Sequence, residues 1–179
     1  MRFSIKYSGG IFIATLFIKI ATGLVVLGAI TASVIAYVGR EQALTLVFGD
    51  VKYEPIDFSS LTLGPNPNQF LVCPNDLCKA KPHLTSPNYN FPAEALMKRW
   101  ESMISEQARI ESGPIDSSLM QYDYIQRSAL MRYPDRITVR FIALMDNHST
   151  LAIYSRSHYG KSDLGVNEAR IRAWLSALR

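Results

Sequence analysis

Acidic residues are missing from the first 39 positions, and between Ile20 and Gly39 no charged residue of either sign occurs. Internal repeats are missing as well. Nothing recurs at a solenoid period and no stretch is of low complexity, which excludes repeat arrays. The chain also lacks a massed basic surface. Its formal net charge is +4, but three of the 19 basic residues, Arg2, Lys6 and Lys19, fall in the acid-free segment. The remaining 16 face 15 acidic residues, a net of +1, so nucleic acid is not an expected partner. Cysteine is scarce, with Cys73 and Cys78 the two examples.

The uncharged run covers 20 residues, which as a helix at about 1.5 Å per residue reaches roughly the 30 Å of a hydrocarbon core. The apolar stretch extends backwards through Ile11 to Ile18, interrupted by Lys19, a side chain long enough to snorkel to the headgroups. Gly23 and Gly28 are tolerated in membrane helices, and Tyr37 sits where an interfacial aromatic belongs. A soluble core helix would not be apolar all round. Val34 and Ala36 also suit a signal-peptidase site, but the n-region would then be long and itself apolar. An uncleaved anchor spanning the lipid bilayer is the favoured reading. Arg2, Lys6 and Lys19 against Arg40 and Lys52 give a small bias towards a cytoplasmic N-terminus, with the C-terminal domain outside the cytoplasm.

Its 179 residues leave room for one domain plus this appendage. Residues 1–39 are the anchor and 40–84 a Pro/Asn-rich arm. Pro55, Pro65, Pro67, Pro74 and Pro82 break long elements there, yet Phe58, Leu61, Leu63 and Phe70 are too apolar for a free linker, so the arm should lie on the domain. Residues 85–179 read as an α+β domain. Pro92 and Glu94 open a helix whose Leu96, Met97, Trp100, Met103 and Ile104 share one face. Tyr122 and Tyr124 alternate with polar residues, as do Ile137, Val139 and Phe141, and Leu151 to Tyr154 form a partner strand. Short turns make the sheet antiparallel. A second helix carries Ile171, Trp174, Leu175 and Leu178, so two helices pack against the sheet.

Cys73 and Cys78 are separated by four residues and suit a short-loop disulfide in an oxidising compartment. Two unpaired thiols are the plain alternative. Zinc with His83 as a third ligand has neither the spacing nor a fourth ligand, so no metal and no cofactor is expected. The segment from Arg156 to Asn167 is the most distinctive. Gly160-Lys161-Ser162 lacks the first glycine of a phosphate loop, since Ser155 stands there. Ser157, His158 and Asp163 have the residue types of a hydrolytic triad, but near neighbours on one loop rarely reach its geometry. Gly160 and Gly165 suit positive φ, and Ser162, Asp163 or Asn167 suit the start of the last helix. Among Arg127, Arg132, Arg136, Arg140, Arg156 and Arg170, the pair Arg156 and Arg170 is the candidate for holding a phosphate or carboxylate. The candidate anion or partner site is therefore Arg156, Ser157, Gly160, Ser162, Asp163, Asn167 and Arg170.

The series Ser155-Arg156-Ser157-x-x-Gly160-x-Ser162-Asp163-x-Gly165-x-Asn167-x-x-Arg170 resembles the signature of the domain of unknown function 1499 family. Pro67-Asn68-Gln69, Cys73-Pro74, Arg127-Ser128 and Tyr133-Pro134-Asp135 are similar to its bacterial membrane-anchored branch, so the resemblance covers about residues 55–179. It implies a bacterial inner-membrane protein with a periplasmic domain and carries no catalytic role with it. The expected function is a binding or accessory module, possible as a subunit or assembly partner of a membrane-protein complex through Gly23, Gly28 and Ala32. The alternatives are an envelope enzyme centred on the Arg156–Asn167 loop and an anion- or lipid-binding domain.

Overall fold

The computed structural model describes residues 9–178. Arg2 and Lys6, on which the orientation reading leans, lie outside them. The chain divides into two compact units, residues 1–47 and 48–179.

The first unit is dominated by α1, Gly9–Val38. Ile13–Val38 is a 26-residue stretch long and apolar enough to cross a membrane, with none of its most apolar window buried in protein. Two of its hydroxyls turn inward on the helix backbone: Thr31 Oγ1 donates to Leu27 O at 2.9 Å and Ser33 Oγ to Ala29 O at 2.8 Å. That is how hydroxyls are accommodated where water is absent. Gly39, at φ 91°, ends the helix, a conformation that costs glycine little. A second helix, α2, runs Arg40–Phe48.

The second unit is built on a six-stranded sheet. Its strands in chain order are β1 (Gln69–Cys73), β2 (Leu84–Thr85), β3 (Ile110–Asp116), β4 (Gln121–Arg127), β5 (Pro134–Ala143) and β6 (Ser149–Ser157), arranged in space as β2-β1-β6-β5-β4-β3. Only β1 and β2 pair in parallel; every other neighbour is antiparallel. The helices α3 (Ala93–Ser105) and α4 (Val166–Ala177) pack on one face. The α+β architecture expected from the sequence is therefore present.

Alternation sorts the strand side chains between two cores. Phe70, Val72, Tyr124, Ile137, Val139, Phe141, Leu151 and Ile153 point to the helices, where Leu96, Trp100, Ile104, Ile171 and Trp174 meet them. Trp100 is fully buried and meets Trp174 edge-on with ring centroids 5.4 Å apart. A buried tryptophan of this kind is worth about 3–5 kcal/mol against alanine. The opposite face holds Leu71, Cys73, Ala152 and Tyr154 under Phe58, with Ile56, Leu61 and Leu63 packed around them. The segment before β1 thus covers the second face of the sheet.

Two elements differ from the sequence expectation. The stretch read as an arm contributes β1, which is flanked by β2 and β6 rather than lying on the outside. Five residues are too short to establish a period, and Pro67 and Pro74 bracket them. Strand β3 was not expected because it contains Gly113-Pro114. It is an edge strand with a register shift between Ser112 and Ile115, one of the places in a sheet that tolerates proline.

Candidate functional site

The signature residues gather at one end of the sheet, where β1 begins, β6 ends and α4 starts. Ser155 and Ser157 project from β6 towards α4, and Asp135 pairs with Ser157 across β5. Arg170 of α4 reaches between them. Its Nη2 donates to Asp135 Oδ2 at 2.6 Å, Nη1 to Asn167 Oδ1 at 2.7 Å and Ser155 Oγ at 3.1 Å, and Nε to Gln126 Oε1 at 2.6 Å. The Arg170 and Asp135 side chains are only 9% and 10% exposed, so this is a desolvated ion pair whose polar atoms are matched on each side.

Asn167, fully buried, continues the network. Its Oδ1 also accepts from Ser155 Oγ at 2.5 Å, and its Nδ2 donates to Asp163 Oδ2 at 2.7 Å. Asp163 accepts the backbone N–H of Asn167 at 2.8 Å and of Gly165 at 3.0 Å. These are groups that a helix start leaves without intrahelical partners. Burial pushes the Asp163 carboxyl up, but these hydrogen bonds outweigh it and hold the group below the usual carboxylate range. Gly165 and Gly160 sit at φ 80° and 84°, as their residue type allows. Asn68 binds the loop from the other side, its Nδ2 donating to Gly160 O at 2.7 Å and its carbonyl accepting from Ser157 N at 2.9 Å. Ser128 Oγ accepts from Tyr133 N at 3.0 Å. The motifs around Asn68, Ser128 and Asp135 thus meet the 155–170 segment in space, whereas Cys73-Pro74 lies at the other end of β1.

This arrangement brings together Ser157, Gly160, Ser162, Asp163, Asn167 and Arg170, and it separates Arg156 from them. Residues 155 and 156 alternate across the sheet, so Arg156 projects to the face opposite Arg170. The proposed pair does not converge on one ligand. The triad residues do not converge either: Ser157 Oγ donates to Asp135 Oδ1 at 2.6 Å, whereas Asp163 is engaged by Asn167 and Gly165. His158 lies against Tyr159, ring centroids 4.6 Å apart; burial first, then the charge of Arg136, lowers its pKa. Lys161 is exposed, and Ser162 Oγ accepts from Leu164 N at 3.3 Å. A cavity of about 510 Å³ flanks the loop, lined by Tyr133, Tyr159, Leu164 and Val166 beside Asp163.

On its own face, Arg156 stands directly across from Arg136 in the β5–β6 register. Arg136 is almost completely buried and donates to the carbonyls of Lys52 at 2.8 Å and Glu54 at 3.0 Å. Its Nη2 is 3.5 Å from Asp123 Oδ1, which also accepts from Thr138 Oγ1 at 2.6 Å. The Tyr53 ring lies over the guanidinium, with the Arg136 Cζ 5.1 Å from its centroid. This cluster was not legible as a group: Asp123, Arg136 and Arg156 come from three strands, and only strand register joins them.

The sulfurs of Cys73 and Cys78 are bonded to each other. His83 Nδ1 accepts from Leu71 N at 3.0 Å, and His83 N donates to Leu71 O at 2.9 Å, so the imidazole stands in for a strand neighbour beside β1. Among the described residues, no three His, Cys, Asp or Glu side chains gather as metal ligands.

No curated protein matches the chain. A solved structure, the di-domain ARO/CYC BexL from the BE-7585A biosynthetic pathway, is similar at 11% identity and a TM-score of 0.39, over 52% of this chain and 43% of that one, less than half its length. The family pattern described as "Protein of unknown function (DUF1499)" matches residues 61–178, a span that contains the Asn68, Asp135 and 155–170 network, and the chain belongs to that family.

Proposed function

We propose that this protein is a single-pass membrane protein of the bacterial inner membrane whose domain, on the periplasmic side, works as a binding or accessory module rather than as an enzyme. The observation that carries the non-catalytic reading is the use to which the signature is put. Asp135, Ser155, Asn167 and Arg170 bond one another, and Asp163 is tied to backbone N–H groups at the start of α4. A carboxylate held ionised by such bonds is poorly placed to exchange protons near neutrality. The Ser157–Asp135 hydrogen bond that also lines this cavity is tied to Arg170, which holds the carboxylate in an ion pair rather than leaving it as a free base.

Two features support the placement. Ile13–Val38 has the length and composition of a span. The Cys73–Cys78 bridge belongs to an oxidising compartment. Gly28 and Ala32, four residues apart on α1, leave a small-residue surface on which a second membrane helix can approach closely.

The test is fractionation of cells expressing the full-length protein. Membrane retention through alkaline carbonate extraction, with the domain digested by protease only after the outer membrane is opened, is the expected result. Recovery of the intact chain in the soluble fraction overturns the placement. Co-purification of a membrane protein in mild detergent, lost on Gly28→Leu/Ala32→Leu, is expected of the accessory role; a strictly monomeric species at native abundance counts against it.

A further inference from the structure

Two arginines face each other across β5 and β6 on the sheet face covered by the segment before β1, and the buried charge around them does not balance. Arg136 has a carboxylate partner in Asp123, 3.5 Å away. Arg156 has none at comparable distance. Its Nη1 reaches only neutral oxygens, Thr138 Oγ1 and Tyr154 O, each at 3.4 Å, and no protein acceptor meets its buried Nη2 or the buried Nε of Arg136. Burial first, and the neighbouring Arg136 second, lower the Arg156 pKa to about 10, the direction expected of a cation short of counter-charge. The Arg156 guanidinium also stands over the Tyr154 ring, 4.6 Å from the centroid, but a largely buried cation without a carboxylate partner remains costly unless an anion pairs with it.

A cleft of about 320 Å³ opens on this pair, lined by Arg136, Arg156, Lys52 and His158, with Asp50 and Glu54 on its wall. Both acidic residues are exposed, so water screens them. The desolvated groups are two guanidinium ions against one carboxylate, an excess of one positive charge. We propose that this cleft binds a singly charged phosphodiester, with Arg156 as the principal ligand and Arg136 beside it. One negative charge balances the excess; a dianion would overshoot it. A guanidinium fork suits oxygens of a tetrahedral phosphate, and the cleft is larger than an isolated carboxylate needs. Arg156 is the part-exposed member, and its Nη2 is a donor that no protein acceptor meets. The phosphodiester has two sources, a glycerophospholipid headgroup or a soluble glycerophosphodiester. The site stands on the domain alone and does not depend on the membrane placement.

The test uses the full-length protein in dodecylmaltoside micelles, with thermal unfolding followed by tryptophan fluorescence. One arm adds soluble glycerophosphoglycerol and the other adds phosphatidylglycerol to the micelles, both against sodium chloride at matched ionic strength. At about ten times the dissociation constant, Tm should rise by about 3–6 °C. A rise in both arms or in the soluble arm alone supports a site open to free phosphodiesters, and a rise with the lipid alone assigns the headgroup. Arg156→Gln should abolish the rise while leaving the ligand-free Tm equal or higher, because it removes the unbalanced charge. Arg156→Lys, which keeps the charge if the glutamine variant fails to fold, should weaken the response at least fivefold. Arg140→Gln, on the same face of β5, should leave it intact. No rise in either arm, or an equal rise in both Arg156 variants, overturns the proposal.

Discussion

Replacing Arg170 by methionine should cost this domain a large part of its stability, because four hydrogen bonds, one of them the ion pair with Asp135, depend on that one side chain. Methionine fills much of the volume but supplies no donor. Asp135 would keep only Ser157 Oγ, at 2.6 Å, while remaining buried. Removing one partner of a buried pair costs about 3–5 kcal/mol, mostly through the charge left behind. For a domain of this size that corresponds to a fall in Tm of roughly 10–20 °C. The chain's two tryptophans, Trp100 and Trp174, sit in the core on α3 and α4, so their fluorescence reports directly on separation of the helix that carries Arg170. Denaturant unfolding of the full-length protein in detergent gives the free energy. Adding Asp135→Asn to Arg170→Met should recover about 1–3 kcal/mol, because the double variant no longer buries an unpaired carboxylate. A loss below about 1 kcal/mol, or strict additivity of the two substitutions, would refute the reading that these residues bond one another to hold α4 on the sheet, and would return Arg170 to the pool of ligand-binding candidates.

Three further outcomes are expected. Reducing the Cys73–Cys78 bridge, or substituting Cys78→Ser, opens a loop with a sequence separation of 5 and should cost about 2 kcal/mol on the chain-entropy relation; an unchanged Tm with and without reductant would count against it. Asp163 has a folded pKa below its ordinary value, so its contribution is complete above the unfolded value and lost as pH falls from about 4 towards the folded one. Tm should therefore drop less between pH 6 and pH 3 in Asp163→Asn than in the parent. A methyl group at Gly113 would overlap the Tyr53 ring, which covers Arg136, so Gly113→Ala should cost about 1–3 kcal/mol; Gly113→Ala/Tyr53→Ala, measured against Tyr53→Ala alone, should show most of that cost gone.

The elements with a strong period were readable from the residues. Leu96, Trp100 and Ile104 at intervals of four, and Ile137, Val139 and Phe141 at intervals of two, land in one core, since burial imposes those periods on helix and strand. β1 and β3 escaped for different reasons. β1 is five residues long and buried on both faces, so its run Phe70-Leu71-Val72-Cys73 does not alternate. β3 is an edge strand whose burial pattern is mostly exposed, leaving few apolar positions to reveal it. The uncharged span was visible at once because no charged residue interrupts it from Ile20 to Gly39.

The candidate site failed to read correctly for another reason. A cluster of serines, an aspartate, an asparagine and an arginine looks the same in sequence whether it awaits a ligand or locks a helix to a sheet. The distinction lies in how many donors and acceptors are already matched, and that count depends on Asp135, Gln126 and Asn68, which are distant in the chain. At Arg170 four of the five guanidinium N–H donors are matched, so binding a ligand there would require breaking bonds that each cost about 1–3 kcal/mol to leave unmade. At Arg156, one residue further along β6 than Ser155, alternation carries the side chain through to the other face, where the same guanidinium chemistry meets too few acceptors. Adjacent positions in one motif therefore have opposite physical roles, and strand periodicity decides which of them holds the fold and which is left with binding capacity.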